Sequence, residues 1–218
     1  EDVVPMDVVD DVVGAERPQQ TVAPVLPLSL LESVRAHDRP GEILEDEDLA
    51  TSLPRRLWLT GVIESQIQKY ETARRRGRGV PVDEVADLIR LVLRRPDAEA
   101  IMREAGAQIG RREFARRSRH LARLIRLLPR SLRARSIRRA LLRMLRQVVG
   151  RGQLEVEHQP LVVRITGGFA AGADFGARAC AIYGGAIEEL LTLITGARRT
   201  LRHARCSAYD DCCEWRED

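Results

Sequence analysis

Three of the four cysteines and one of the four histidines of this 218-residue chain fall in a single stretch, "RHARCSAYDDCCEW", residues 202 to 215. They are His203, Cys206, Cys212 and Cys213; the fourth cysteine, Cys180, lies upstream in "ARACAIYGG". Thiolate and imidazole suit borderline-soft divalent ions, and a structural zinc takes four such ligands at tetrahedral corners, at about 2.0 to 2.3 Å. Cys180, His203, Cys206 and one of Cys212 or Cys213 meet that count. Four cysteines are too few for a disulfide scaffold in a chain of this length, and in a reducing compartment a Cys/His cluster reads first as metal-binding or catalytic. A catalytic thiol finds no neighbouring base with an orienting acid. The competing readings are a buried core cysteine at 180 beside an exposed His203, and a disulfide, either Cys206 to Cys213 or the vicinal Cys212 to Cys213.

These residues have to be positioned by the elements around them. A helix is expected from about Ala177 to Thr195, with Ile187, Leu190, Leu191 and Ile194 as its apolar stripe and Gly196 as its cap. Cys180 then sits in the first turn, where the positive end of the macrodipole favours the ligating thiolate. His203 ends a strand, "RTLRHAR", Cys206 opens the turn "SAYDD", and "CCEW" forms the last strand. In an ideal strand, residues three apart face opposite sides, so His203 and Cys206 share an ion only if the chain turns between them.

Upstream the hydrophobic period is helical. "LPRRLWLTGVIESQIQKYETARRR" places Leu59 or Thr60, Ile63 and Ile67 near one face of a helix from Leu53 to about Arg75, which stops at "RGRG". A second helix begins after "VPVDEV" and is broken at Pro96, and the two are expected as a hairpin. The third, from about Asp97, carries Ile101, Met102, Ala105 and Ile109 as its buried stripe. Its Gly106 and Gly110 each cost about 1 kcal/mol against Ala, which implies close helix packing as compensation. Leu121, Leu124, Ile125 and Leu128 repeat the spacing up to Pro129, as do Leu141, Met144, Leu145 and Val148 up to Gly150.

After Gly150 the period changes to two. "GQLEVEHQPLVVRITGG" reads as two strands, with Leu154 and Val156 on one and Leu161, Val163 and Ile165 on the other, turning at Gln159 and Pro160. The Gly-rich "GGFAAGADFG" is a loop. The order of elements is a helical N-terminal half followed by a β-β-α-β-β antiparallel unit, hence an α+β fold. Residues 1–50 are rich in acid and Pro and read as a tail or linker whose apolar clusters "VVDDVV" and "VLPLSLLESV" could dock as short segments. Residues 51–96 are then a helical extension and 97–218 the main domain.

Net charge is +4, unevenly spread. Residues 1–50 hold thirteen acids against three arginines, and residues 101–150 hold fifteen arginines against Glu104 and Glu113. An acidic tail on a basic body suggests intramolecular shielding or a basic binding face. Arg139, Arg143 and Arg146 could present such a face, between Arg116 and Arg146, to nucleic acid or an anionic membrane; a solvated face is the plainer reading, since no helix-turn-helix or zinc-finger signature accompanies it. Aromatics are 4% of residues, which argues against broad stacking surfaces for bases. No apolar run is long enough to span a bilayer and the first residues are too acidic for a secretory signal, so the expected location is cytoplasmic.

The stretch "ARACAIYGGAIEELLTLITGARRTLRHARCSAYDDCCEW" resembles the C-terminal signature of the 4-vinyl reductase-like domain: a Cys opening a helix, a Gly cap, a strand ending in a polar ligand, then Cys, a short acidic turn, Cys and an aromatic. "REAGAQIGRREFAR" is similar to that family's Gly-containing first helix, and "VVGRGQLEVEHQPLVVRI" to its entry into the sheet, so the resemblance spans about Asp97 to Trp215. It implies a fold like the TRAPP transport subunits and a zinc ion held by a Cys, a Glu and two further Cys. Cys180 and Cys206 match the first and third of these, Cys213 the fourth with Cys212 as alternative, and His203 stands where the carboxylate does. The final turn is one residue shorter than usual and lacks its Gly. A four-ligand site of this kind is closed, hence structural. The resemblance further implies a non-catalytic module for an apolar, aromatic or tetrapyrrole-type ligand, with Phe169, Phe175, Tyr183 and Ile187 as candidate pocket walls. It also offers two alternatives, an adaptor that dimerises through its helices and a bacteriochlorophyll-pathway reductase-type protein. No dinucleotide fingerprint and no flavin or iron-sulfur motif accompanies the reductase reading.

Overall fold

The computed structural model describes residues 21–38, 49–117, 124–125, 127–150, 152–158, 160–169, 176–206 and 212–217, with side chains omitted at 49–60, 117, 130–131, 147 and 158. Its elements are β1 (Thr21–Val22), α1 (Val25–His37), α2 (Leu49–Arg75), β2 (Val80–Pro81), α3 (Val82–Leu93), α4 (Ala98–Arg117), α5 (Arg130–Val149), β3 (Gln153–His158), β4 (Leu161–Thr166), α6 (Gly176–Ala179), α7 (Ala181–Thr195), β5 (Leu201–Arg205) and β6 (Cys212–Glu217). The chain is α+β, with a short β1-β2 ribbon and a four-stranded antiparallel sheet in the order β3-β4-β6-β5.

The helix packed most extensively on another is α7, which lies along α4. Both are able to approach closely because each offers glycine at the crossing. A Cβ on Gly106 would stand 1.9 Å from the Ile182 carbonyl oxygen, and one on Gly185 would stand 2.0 Å from that of Arg103. The helix-weakening glycines of α4 are thus repaid in backbone-to-backbone contact, as expected. Ile101, Met102, Ala105 and Ile109 face this core with essentially no exposure, and α7 contributes Ile187, Leu190, Leu191 and Ile194. Gly196, in the left-handed region at φ 79°, ends α7, its N–H returning to the Thr192 carbonyl.

The sheet joins the same core through Val156, Val163, Ile165, Cys213 and Trp215, with α5 packed on β3 and α7. Leu141, Met144, Leu145 and Val148 form the buried stripe of α5, as the spacing predicts. In the preceding segment the expected stripe is only partly realised. Ile125 is buried, Leu124 is 61% exposed, and Leu121 lies outside the described residues.

The largest departure from expectation is at the N-terminus. Where a tail or linker is read over residues 1–50, Val25–His37 is a helix with Leu26, Leu28, Leu30 and Leu31 buried, lying against α4 and α2. Acid and proline nearby mask a run, "VLPLSLL", apolar on almost every face; such a helix has to be enclosed. Arg112 on α4 holds it, donating to Ser29 Oγ at 2.7 Å and pairing with Glu32.

The expected α2–α3 hairpin is not a packed pair: α2 lies chiefly against α1 and meets α3 at one polar knot. Tyr70, 3% exposed, donates to Glu84 Oε1 at 2.7 Å, and Lys69 Nζ reaches the same oxygen at 2.5 Å. Burial alone would raise the Glu84 pKa, but the hydrogen bonds from Lys69 and Tyr70 outweigh it and hold the carboxyl below its ordinary value of 4.5. A depressed carboxyl stabilises the fold above its unfolded-state pKa and loses that contribution as pH falls through the folded value. Tyr70→Phe should therefore cost about 1 kcal/mol at neutral pH. Its difference from the parent should narrow in acid, as read from urea melts across pH.

Candidate metal centre

The four ligand candidates come from three separate elements. Cys180 is wholly buried at the junction of α6 and α7, where the expected single helix is interrupted; its carbonyl accepts from the Tyr183 and Gly184 N–H groups. It therefore stands at the N-cap of α7 rather than inside its first turn, still at the positive end of the helix macrodipole, which favours thiolate over thiol.

Cys213 is on β6, opposite Ile165 of β4, and has no exposure. Alternation along the strand turns Cys212, opposite Thr166, to the other face. This separates the two adjacent cysteines that the sequence leaves open. Cys213 belongs to the cluster and Cys212 does not.

The parity problem between His203 and Cys206 is solved by a β-bulge. His203 pairs with Trp215, but Arg205, not Ala204, pairs with Glu214. The extra residue flips the alternation of β5, so that by this register Cys206 falls opposite Cys213. Cross-strand partners share a face, so His203, Cys206, Cys213 and Trp215 all end on the inner side. The Trp215 indole stacks on the His203 imidazole with centroids 4.9 Å apart and planes 13° apart. Tyr183 meets Trp215 edge-on at 5.8 Å, and Phe169 meets Tyr183 edge-on at 5.3 Å.

The ligand atoms of Cys180, His203, Cys206 and Cys213 all lie within 4.8 Å of one another. Cys180 Sγ is 3.9 Å from Cys206 Sγ and 3.1 Å from Cys213 Sγ. A tetrahedral ion with ~2.3 Å bonds to sulfur spaces its sulfur ligands about 3.8 Å apart, a value these two separations bracket. Both exceed by far the ~2.05 Å of a disulfide, and none of the four cysteines is in one. His203 is the most exposed of the four, yet its Nε2 is buried without a hydrogen-bond partner, an arrangement that costs roughly 1–3 kcal/mol unless something is bound there. These four side chains can hold a metal ion.

The outer face of the same strands is neutralised separately. Glu214 is 1% exposed and accepts from Arg164 Nε and Arg216 Nε, each at 2.6 Å. Burial would raise its pKa, but the two guanidinium groups outweigh this and hold it ionised, below the usual carboxylate range. Its charge faces away from the thiols.

Of the candidate pocket walls, Tyr183 and Ile187 are wholly buried, Phe169 is half-buried against them, and Phe175 lies outside the described residues. Bulge and indole stack escape any reading of the local spacing, although "CCEW" does carry the Trp two residues after Cys213 that makes the stack possible. Arg139, Arg143 and Arg146 are exposed along α5, as their spacing predicts. Among the described residues no helix is long and apolar enough to cross a membrane. Neither a family model, nor a curated protein, nor a solved structure matches this chain.

Proposed function

We propose that this is a zinc-clasped, non-catalytic binding domain of TRAPP-like, 4-vinyl reductase-like type, acting as a sensor or carrier. The observation that carries the reading is the convergence of Cys180, His203, Cys206 and Cys213, with the His203 Nε2 lacking any other partner. Three thiolates and an imidazole favour zinc among common cellular ions. Four protein ligands leave no open position to activate water, so the ion clamps β5 and β6 to the start of α7 and its binding energy is folding energy. An apolar, aromatic or tetrapyrrole-type ligand follows from the resemblance.

The adaptor reading has one observation in its favour. Leu124, Leu127 and Leu132 are 61, 83 and 50% exposed around the start of α5, an apolar surface suited to a second copy of the chain. Native mass spectrometry of the purified protein separates the readings. A monomer carrying one zinc and a retained organic mass supports the carrier, a ligand-free dimer the adaptor, and a metal-free chain that cannot be loaded with zinc overturns the clasp.

A further inference from the structure

One cavity shares no lining residue with the thiol cluster and has a different chemistry. It holds about 940 Å³ between the end of α2, β1, α4 and the end of α5. That is at the upper end of the range of small-molecule sites. Among the described residues six arginines line it, Arg74, Arg75, Arg78, Arg112, Arg116 and Arg146, against one acid, Glu113, which is itself buried.

These arginines come from three separate elements and are brought together by the fold. Arg74 and Arg75 occupy the last turn of α2, where cations complement the helix dipole. Gly77, at φ 64°, reverses the chain, and the Arg78 N–H returns to the Ala73 carbonyl, so Arg78 is set at the rim. Gly79 is pressed against Thr21 so closely that a Cβ there would come within 2.5 Å of the threonine side chain; this contact seats the ribbon that forms one wall. Arg112 and Arg116 are one turn apart on α4, and Arg146 is in the last turn of α5. Arg112 is committed to Ser29 and Glu32, and Arg75 to Glu71 at 3.2 Å. Arg74, Arg78 and Arg146 make no ion pair among the described residues.

Gathering like charges around a concavity costs self-repulsion, and the field it produces concentrates anions. Guanidinium forks match phosphate oxygens bidentately, so several converging on one cavity suit a multiply charged phosphate group. Among the described residues no aromatic side chain lines the cavity, so these walls offer nothing on which a base could stack. We propose that this cleft binds a small ligand through a polyphosphate group, recognising the phosphates and not what they are attached to. The site is independent of the metal clasp and adds a second ligand to the proposed binding function.

The test is isothermal titration of the full-length, metal-loaded protein with inorganic tripolyphosphate, with ATP and with sulfate at matched ionic strength. Tripolyphosphate and ATP should bind one per chain with similar affinity, and sulfate much more weakly. Losing a charge-assisted hydrogen bond weakens binding by about tenfold. The Arg78→Ala/Arg146→Ala double variant should therefore bind roughly 100-fold more weakly, while Arg139→Ala, on α5 but outside the cleft, binds like the parent. Both arginines are exposed and make no ion pair among the described residues, so the melting temperature of the ligand-free double variant should match the parent's. Sulfate binding as tightly as tripolyphosphate, or a double variant that binds tripolyphosphate like the parent, overturns the proposal. So does a duplex oligonucleotide that binds more tightly than tripolyphosphate and is weakened by Arg139→Ala.

Discussion

Cys213→Ser should release the metal and lower the melting temperature by on the order of 10 °C, while the neighbouring Cys212→Ser changes neither. The contrast follows from strand alternation: Cys213 faces Cys180 at 3.1 Å, and Cys212 faces the opposite side of β6. The size follows from linkage. An ion present at about a thousand times its dissociation constant stabilises the fold by about 4 kcal/mol. For a chain of this length each kcal/mol shifts the midpoint by roughly 2–4 °C. A chelator should reproduce the shift in the parent protein and do nothing further to the Cys213→Ser variant. His203→Ala should also lose the ion, whereas His203→Cys supplies a thiolate in its place and should keep it. Elemental analysis and a thermal melt on the five proteins decide the matter. Equal metal content in the two serine variants, or a parent that is purified metal-free and cannot be loaded, would sink the zinc clasp.

The second large effect is expected at the α4–α7 crossing. Gly106→Ala places a methyl 1.9 Å from the Ile182 carbonyl oxygen, and Gly185→Ala places one 2.0 Å from that of Arg103. The obstructing atoms are backbone on the facing helix, so neither can rotate aside, and the two helices must separate along the most extensive helix–helix contact of the fold. Overpacking a core costs about 1–3 kcal/mol where side chains can adjust, and more where they cannot. Each substitution should therefore cost roughly 3 kcal/mol or leave the protein largely unfolded. Gly61→Ala in α2 is the control, since nothing lies within 4 Å of its Cβ position. There the helix propensity of alanine should stabilise by about 0.5–1 kcal/mol. If chemical denaturation places Gly106→Ala within that gain of the parent, the close crossing does not exist in solution.

Much of this architecture is legible in the sequence. Gly106 and Gly110 announce a close helix contact because their cost in a helix interior requires compensation, and the change from period 3.6 to period 2 after Gly150 marks where the sheet begins. The sequence marks "VLPLSLLESV" as an apolar segment able to dock but does not predict it as a helix, for a physical reason as well. "VLPLSLL" has little periodicity because it is enclosed on several sides, and acid-rich surroundings make it look like part of a tail. The arginine cleft was legible only in pieces. "RRRGRG" reads locally as a helix stop, and nothing in its spacing says that Arg112, Arg116 and Arg146 will stand across from it.

The division is clearest at the thiol cluster. Residue type and count determined the kind of chemistry: three thiolates and an imidazole can satisfy a tetrahedral ion, and Cys180 precedes a helix whose dipole favours its ionised form. Membership was decided only by tertiary structure. Ligand parity depends on one inserted residue, Ala204, which is visible only when β5 is paired with β6, and the choice of Cys213 over Cys212 depends on which face of β6 meets α7. Strand alternation is a local rule, but register and bulges are set by the partner strand, and no spacing within a single segment encodes them.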